Sequence, residues 1–273
     1  PPRSPLFPYT TLFRSGEQLR IRASRVYPAA STMKAAILFS AFSLADRRLL
    51  SLEKRIPVEN QFKSVADGSL FQVPPELSRK CTCLAWRNQG ADLSIRLLLR
   101  DMIRNSSNLA TNLLIQEMGA EPIMQELNRA RLRGISISRG LYDLPAFDKN
   151  WHNTLTADGA LELFYQIYYS SLFSLESRHE MVEILSRTIH RDRLPALLPQ
   201  EASVAHKAGM TDDVAHDAGM VFPPGQNPYF VAILTEGYES RPAVSRAIAE
   251  ASLLLYEYVQ EQRRYATEIH QKP

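Results

Sequence analysis

The chain has 273 residues, 45% of them hydrophobic, and a formal net charge of +3 from 32 Lys and Arg against 29 Asp and Glu. That is enough for one large globular domain or two lobes around a core. The charges are mixed along the chain, which argues against a nucleic-acid stripe, and no apolar run reaches the roughly 20 residues of a membrane span.

Pro1 to Ser15 shows neither helical nor strand period and no basic-then-apolar leader pattern. The string Pro-Tyr-Thr-Thr-Leu-Phe-Arg-Ser reads like translated sequencing-adapter DNA. Residues 1–15 are therefore expected to be a non-native or disordered start, with the natural chain resuming near Gly16 and any export signal lost with its beginning.

Gln18 to Val26 alternates apolar and polar residues and is predicted as a strand. Then comes Tyr27-Pro28-Ala29-Ala30-Ser31-Thr32-Met33-Lys34, followed by Ala35-Ala36-Ile37-Leu38-Phe39. Pro28 disfavours helix just before Ser31, and from there the residues suit a helix that is apolar almost all round, ending near Asp46 to Arg48. Ser31 then stands at the helix entrance with Lys34 three residues on, on the same face. A lysine whose pKa is lowered by burial can take the proton of a serine, which is a weak nucleophile without a base. A Ser cap followed by a surface Lys is the plainer reading of those four residues.

Ile56 to Phe62 and Leu70 to Val73 are predicted as short strands about an Asp67-Gly68 turn. Cys81 and Cys83 are expected as free thiols, since neighbours two apart in a strand rarely bridge well. Helices are predicted over Ser94–Arg104, Leu109–Met118, Glu121–Arg131, from a Thr156 cap onward, and over Leu175–Thr188, with a loop at Gly140–Asn153. Ser203–Met210, Val214–Phe222 and Tyr229–Thr235 read as an antiparallel meander, closed by a helix over Val244–Gln262.

Between two of those helices lies Asn105-Ser106-Ser107-Asn108. A Ser and an Asn two apart in a tight turn can relay a proton and hold a substrate carbonyl, or merely cap a helix. In the first meander strand, Lys207 interrupts an apolar run, which is costly unless it faces a partner or a cleft. Gly209, two residues on, lets another backbone approach.

Ser-x-x-Lys, Ser-x-Asn and Lys-x-Gly in that order resemble the signature of the penicillin-recognising serine hydrolases, and the chain looks like a class A β-lactamase-related protein from about Glu17 to Gln262. The intervals agree: 75 residues separate Ser31 from Ser106 and 101 separate Ser106 from Lys207. Asn153-Thr154-Leu155-Thr156-Ala157 is similar to the family's Thr-rich helix start. The resemblance implies an α+β fold in which an antiparallel sheet flanked by helices carries an inserted all-helical lobe. It implies a single domain over 16–268, with its sheet lobe at about 16–28 and 190–268 and its helical lobe at about 29–189.

It also implies roles. Ser31 would be acylated, Lys34 would be its base, and Ser106 would pass a proton to the leaving nitrogen. Asn108 would hold the substrate's amide and Lys207 its carboxylate. Gly209 and Met210 would border the oxyanion hole, formed by the N–H groups of Ser31 and Met210, and Asn112 would brace the active-site loop. Three departures matter. Ser107 replaces the usual Asp. Ala208 replaces a hydroxyl residue that binds lactam carboxylate, for which Thr211 would partly substitute. The loop 140–153 has no Glu to activate a deacylating water, leaving Asp143 or Asp148 as candidate bases. His206 is read as structural and His216 as a sheet-face residue or one that supports the site from behind, while His152 lies in the active-site loop.

The expectation is thus a serine hydrolase of amide or lactam bonds, with β-lactam hydrolysis and antibiotic resistance as its role. The alternatives are a D-Ala-D-Ala-type peptidase or esterase that deacylates lactams poorly, and a non-catalytic binding protein. No cofactor, metal, nucleic acid or transmembrane segment is called for. The partner is a small-molecule or peptide substrate, the protein is expected to be a monomer, and the resemblance implies an exported, periplasmic or extracellular bacterial setting. Without the helix and strand that the family carries before Gln18, an exposed apolar sheet face is expected.

Overall fold

The computed structural model describes residues 9–12 and 18–270. Its centre is α1 (Lys34–Asp46), in which every residue from Lys34 to Ser43 is buried. No stripe on this helix is polar, so it sits between layers rather than on the surface. Two of its hydroxyls are satisfied across the core: Ser40 Oγ donates to the Ile123 carbonyl at 3.1 Å and Ser43 Oγ to the Glu126 carboxylate at 2.6 Å.

The main sheet is antiparallel, in the order β10 (Ser203–Met210), β11 (Val214–Phe222), β12 (Tyr229–Glu236), β1 (Tyr9–Leu12), β2 (Gln18–Arg20). Side chains alternate across it. Ala205, Ala218, Met220, Phe230, Ala232 and Leu234 join the large core with α1 and α7 (Ala157–Tyr169). Val204, Ala215, Val221, Val231 and Ile233 pack instead under Val244, Ile248, Leu255 and Val259 of α9 (Arg241–His270).

The other helices are α2 (Leu84–Arg87), α3 (Ile95–Arg104), α4 (Asn108–Met118), α5 (Ala120–Arg129), α6 (Leu144–Asp148) and α8 (Leu175–Ser186). Short pairings complete the chain: β3 (Tyr27–Pro28) and β8 (Ile135–Ser136) on either side of β9 (Thr154–Leu155), β4 (Arg55–Pro57) with β7 (Asp92–Ser94), and β5 (Phe62–Lys63) with β6 (Leu70–Phe71).

Several expectations are corrected. Tyr9–Leu12, inside the stretch read as without structure, pairs with both β12 and β2, so the sheet begins before Gly16. Residues 1–8 and 13–15 of that stretch lie outside the described residues. The strand predicted over Gln18–Val26 stops at Arg20, because a turn follows in which Arg22 takes φ +49° and its carbonyl accepts the Arg25 N–H. The predicted strand Ile56–Phe62 is two, parted where the Asn60 amide clasps both the N–H and the carbonyl of Val73.

Cys81 and Cys83 are not free thiols but a disulfide with Cα atoms 5.1 Å apart. The backbone there is irregular rather than a strand, and its bend brings the pair inside the bridging range of roughly 4.4–6.8 Å. Closing so small a loop contributes only on the order of 1–2 kcal/mol.

Candidate active site

The nucleophile candidate is set by the turn before α1. β3 pairs with β9, and Ala29 N donates to the Asn153 carbonyl at 2.9 Å. Ala30 then takes φ +46° and a 3-10 turn over Ala30–Met33 carries Ser31 into the head of α1.

Lys34, fully buried, directs its ammonium at Ser106 and Asn108 rather than at Ser31. Nζ donates to the Ser106 carbonyl at 2.7 Å, to Ser106 Oγ at 3.1 Å and to Asn108 Oδ1 at 2.7 Å. Burial, then the charge of Lys207, holds its pKa well below the usual lysine value against a smaller pull from Asp101. A lysine so placed loses its proton readily.

Ser106 lies between α3 and α4 in the left-handed region, φ +56°, an uncommon conformation for a residue with a side chain. Ser107 caps α4, its Oγ accepting the Ala110 N–H at 3.2 Å, and Ser caps a helix about as well as the Asp it replaces. From the sheet side Lys207 Nζ donates to the same Ser106 Oγ at 3.1 Å and to the Ala208 carbonyl at 2.7 Å. Burial brings the Lys207 pKa to about 7; Asp217 opposes the fall and Arg193 adds to it. One hydroxyl is thus held between two lysines of lowered pKa.

Gly209 makes this approach possible. A Cβ there would lie 2.6 Å from Thr32 Oγ1, 2.7 Å from Thr32 N and 2.8 Å from Ser31 N. Only glycine lets β10 run that close to the serine turn. Met210 follows at the lip of the cleft. The cleft holds about 280 Å³ and is lined by Ser31, Ser106, Asn108, Gly209, Met210 and Arg193, among others.

The loop residues stand differently from one another. Asn112 reaches the loop: its Nδ2 donates to the Leu141 carbonyl at 2.8 Å and its Oδ1 accepts the Leu141 N–H at 2.7 Å. Asn108 Nδ2 donates to Tyr142 Oη at 3.4 Å, so the loop touches the Lys34 network.

Asp143, a candidate base, is fully buried and occupied. It accepts Ser64 Oγ at 2.6 Å, Val65 N at 3.0 Å and Ala146 N at 3.2 Å, capping α6. Asp148 is exposed at the end of α6, and neither acid lines the cleft. Thr211 is turned away as well. Its Oγ1 accepts Asp213 N and Val214 N, both at 3.2 Å, inside the β10–β11 turn, which fixes the hydroxyl there rather than beside Ala208. α6 itself was missed, although Asp143 followed by Pro145 is a helix-start signal.

Arg193 was also missed. It is buried, and Nη1 donates to the carbonyls of His216 at 3.2 Å and Gly209 at 3.5 Å while the residue lines the cleft. Nothing in Arg191-Asp192-Arg193 marks which arginine turns inward. His190 lines the same cleft, its pKa lowered by burial and then by the charges of Lys207 and Arg193.

A model of the beta-lactamase enzyme family matches residues 8–259. A beta-lactamase of Stenotrophomonas maltophilia is 27% identical over 239 residues, covering 84% of this chain and 74% of that protein. One of Streptomyces albus G is 24% identical, covering 89% and 76%. Among solved structures, PBP-A superposes with a TM-score of 0.78 at 26% identity, covering 95% of this chain and 92% of that one. A mutant of PBP-A solved as an acyl-enzyme complex with penicillin G gives 0.77 at 25% identity, covering 94% and 90%. An ancestral class A beta-lactamase gives 0.77 at 21%, covering 92% and 94%, a likeness of fold.

Proposed function

Because the chain belongs to the beta-lactamase enzyme family, we propose that it is a serine acyl hydrolase in which Ser31 is acylated by β-lactams or cell-wall-like peptides and the acyl-enzyme is released slowly. The observation that carries this is Ser106 Oγ at 3.1 Å from the ammonium groups of both Lys34 and Lys207, on a cleft that Ser31 lines. Ser31 Oγ attacks the carbonyl and its proton passes to Lys34, directly or through Ser106. The N–H groups of Ser31 and Met210 hold the oxyanion. Ser106 hands a proton to the leaving nitrogen, Asn108 holds the side-chain amide, and Lys207 attracts the carboxylate. Arg193 supplies a second cation on the side where Ala208 has no hydroxyl.

Slow release is favoured by the loop. It has no Glu, Asp143 is committed to capping and Asp148 to the surface, so neither acid of the loop is poised to activate water. This supports a penicillin-binding peptidase or esterase over a fast β-lactamase. The Cys81–Cys83 disulfide supports an oxidising, exported setting. A monomer suffices for this chemistry.

Intact-protein mass spectrometry after mixing with penicillin G tests it, with Ser31→Ala alongside. The expected result is a Ser31-dependent adduct that persists for hours. An adduct that vanishes while product accumulates means a true β-lactamase. No adduct with penicillin or with simple esters, together with binding that survives Ser31→Ala, means a binding protein and sinks the proposal.

A further inference from the structure

A second ionisable cluster lies on the face of β10 opposite Lys207, closed off from solvent. His206 and Asp217 are both fully buried. His206 Nδ1 stands 2.8 and 3.0 Å from the two Asp217 carboxylate oxygens. Asp217 Oδ2 also accepts the N–H of Leu194 at 3.1 Å. The preceding residue is Arg193, whose guanidinium grips the carbonyls of Gly209 and His216, the neighbours in sequence of Ala208 and Asp217. Gly219 faces His206 across the ladder, and a Cβ there would stand 2.5 Å from His206 Cβ, so the missing side chain makes room for the imidazole.

Burying a carboxylate here carries a desolvation cost that an apolar residue would avoid, and such pairs add little net stability. What the pair supplies is position and sign of charge. Through Leu194 it ties the Arg193 segment to the sheet. Through the strand it sets a negative charge behind Lys207.

We propose that His206 and Asp217 are positioning residues for the substrate carboxylate: Asp217 anchors the segment that presents Arg193 and keeps Lys207 charged, while His206 orients Asp217. The assignment of a carboxylate subsite rests on the acyl-transfer reading above. The charged groups around Lys207 are Lys34 from α1, Arg193 and His190 from the segment before β10, and, on the opposite face of the sheet, Asp217 from β11. Of these only Asp217 favours the ammonium form. His216, next to Asp217, points to the other face, toward Pro28.

Asp217→Asn keeps shape and an acceptor for Leu194 but removes the charge. The test follows Ser31 acylation from pH 5 to 9 with penicillin G and with a carboxylate-free phenylacetyl thioester. In parallel, ¹⁵N-lysine NMR reads the titration of Lys207. The expected result for Asp217→Asn is a Lys207 midpoint lowered by about one pH unit or more. Penicillin acylation then falls about tenfold near pH 7, mainly through KM, while the thioester changes less than twofold.

His206→Asn places an amide where Nδ1 stood and should restore most of the wild-type profile, whereas His206→Ala should not. An unmoved Lys207 midpoint, or equal losses on both donors at every pH, overturns the proposal. If wild-type protein is acylated by neither donor, the acyl-transfer reading fails and the NMR midpoints still decide the role of Asp217. If Asp217→Asn does not fold, the His206 pair carries the same comparison.

Discussion

His216 Nε2 lies 2.9 Å from the carbonyl oxygen of Pro28, three residues before Ser31. The contact joins the middle of the main sheet to the strand that leads into the Ser31 turn. A carbonyl only accepts, so Nε2 carries the proton, and Nδ1 is then free to accept the Thr235 N–H at 3.3 Å. The ring is fully buried, packed edge-on against Tyr27, and satisfied as the neutral tautomer. Burial lowers its pKa to about 4, against weaker support from the Pro28 and Ala215 backbone.

Acid should therefore loosen this junction. Between pH 6.5 and about 4 the unfolded chain binds a proton that the folded one refuses, so stability falls as pH drops through that window. The loss reaches up to about 3 kcal/mol. Urea unfolding at pH 7 and pH 4.5 measures it. His216→Gln, which keeps a donor for Pro28 but does not titrate, should flatten the difference; an equally steep dependence in the variant would assign the effect elsewhere.

Gly209→Ala should leave the fold nearly intact and cripple acylation. Two of the three atoms its methyl would meet within 2.8 Å are backbone nitrogens, of Ser31 and Thr32, which cannot swing aside. β10 must back away from the serine turn, and the proposed oxyanion site opens. Loss of such donors is worth about 100-fold or more in rate. The acylation rate with penicillin G and the melting temperature, taken together, check this. Near-wild-type acylation would mean that the two N–H groups do not act on one oxygen.

The candidate site is legible where it lies on short, regular stretches. Ser31 and Lys34 share a helix entrance, Ser106 and Asn108 a turn, and Lys207 and Gly209 a strand, so type and spacing suffice to mark them as candidates. That Lys34 bonds to Ser106 rather than to Ser31 was not legible, because it depends on where α3 ends relative to α1. The same holds for Arg193, placed by backbone carbonyls of two strands, and for Thr211, whose hydroxyl closes its own turn. β1 was hidden because Tyr9-Thr10-Thr11-Leu12 is too short to show a period, and one of its two partner strands lies more than 200 residues away. The cysteine pair failed for a related reason: the assumption of a strand excluded the bend that joins it.

Asp143→Asn separates a structural acid from a catalytic one. The buried carboxylate accepts three hydrogen bonds, two of them from Ser64 and Val65 on the β5–β6 side. Replacing it should cost about 1–3 kcal/mol by leaving donors poorly matched. The lifetime of the penicillin adduct should not change. A longer-lived adduct with unchanged stability would instead make Asp143 the deacylation base and overturn its assignment as a cap.

Asn112 holds Leu141 as one strand holds another, giving and accepting one bond each at 2.8 and 2.7 Å from an almost fully buried side chain. The next residue, Tyr142, is the one that Asn108 reaches, so the brace sets the distance between the loop and the Lys34 network. Asn112→Ala leaves both backbone groups of Leu141 without their partner, a loss of about 2–4 kcal/mol for the pair. The loop 140–153 should become the first site of proteolytic cleavage. Acylation should slow as Asn108 loses its support, and Asn112→Asp, which keeps the acceptor alone, should fall between. Limited proteolysis mapped by mass spectrometry reads the first effect and penicillin-adduct kinetics the second. Faster cleavage with unchanged acylation would show that the loop folds independently of the Lys34 network.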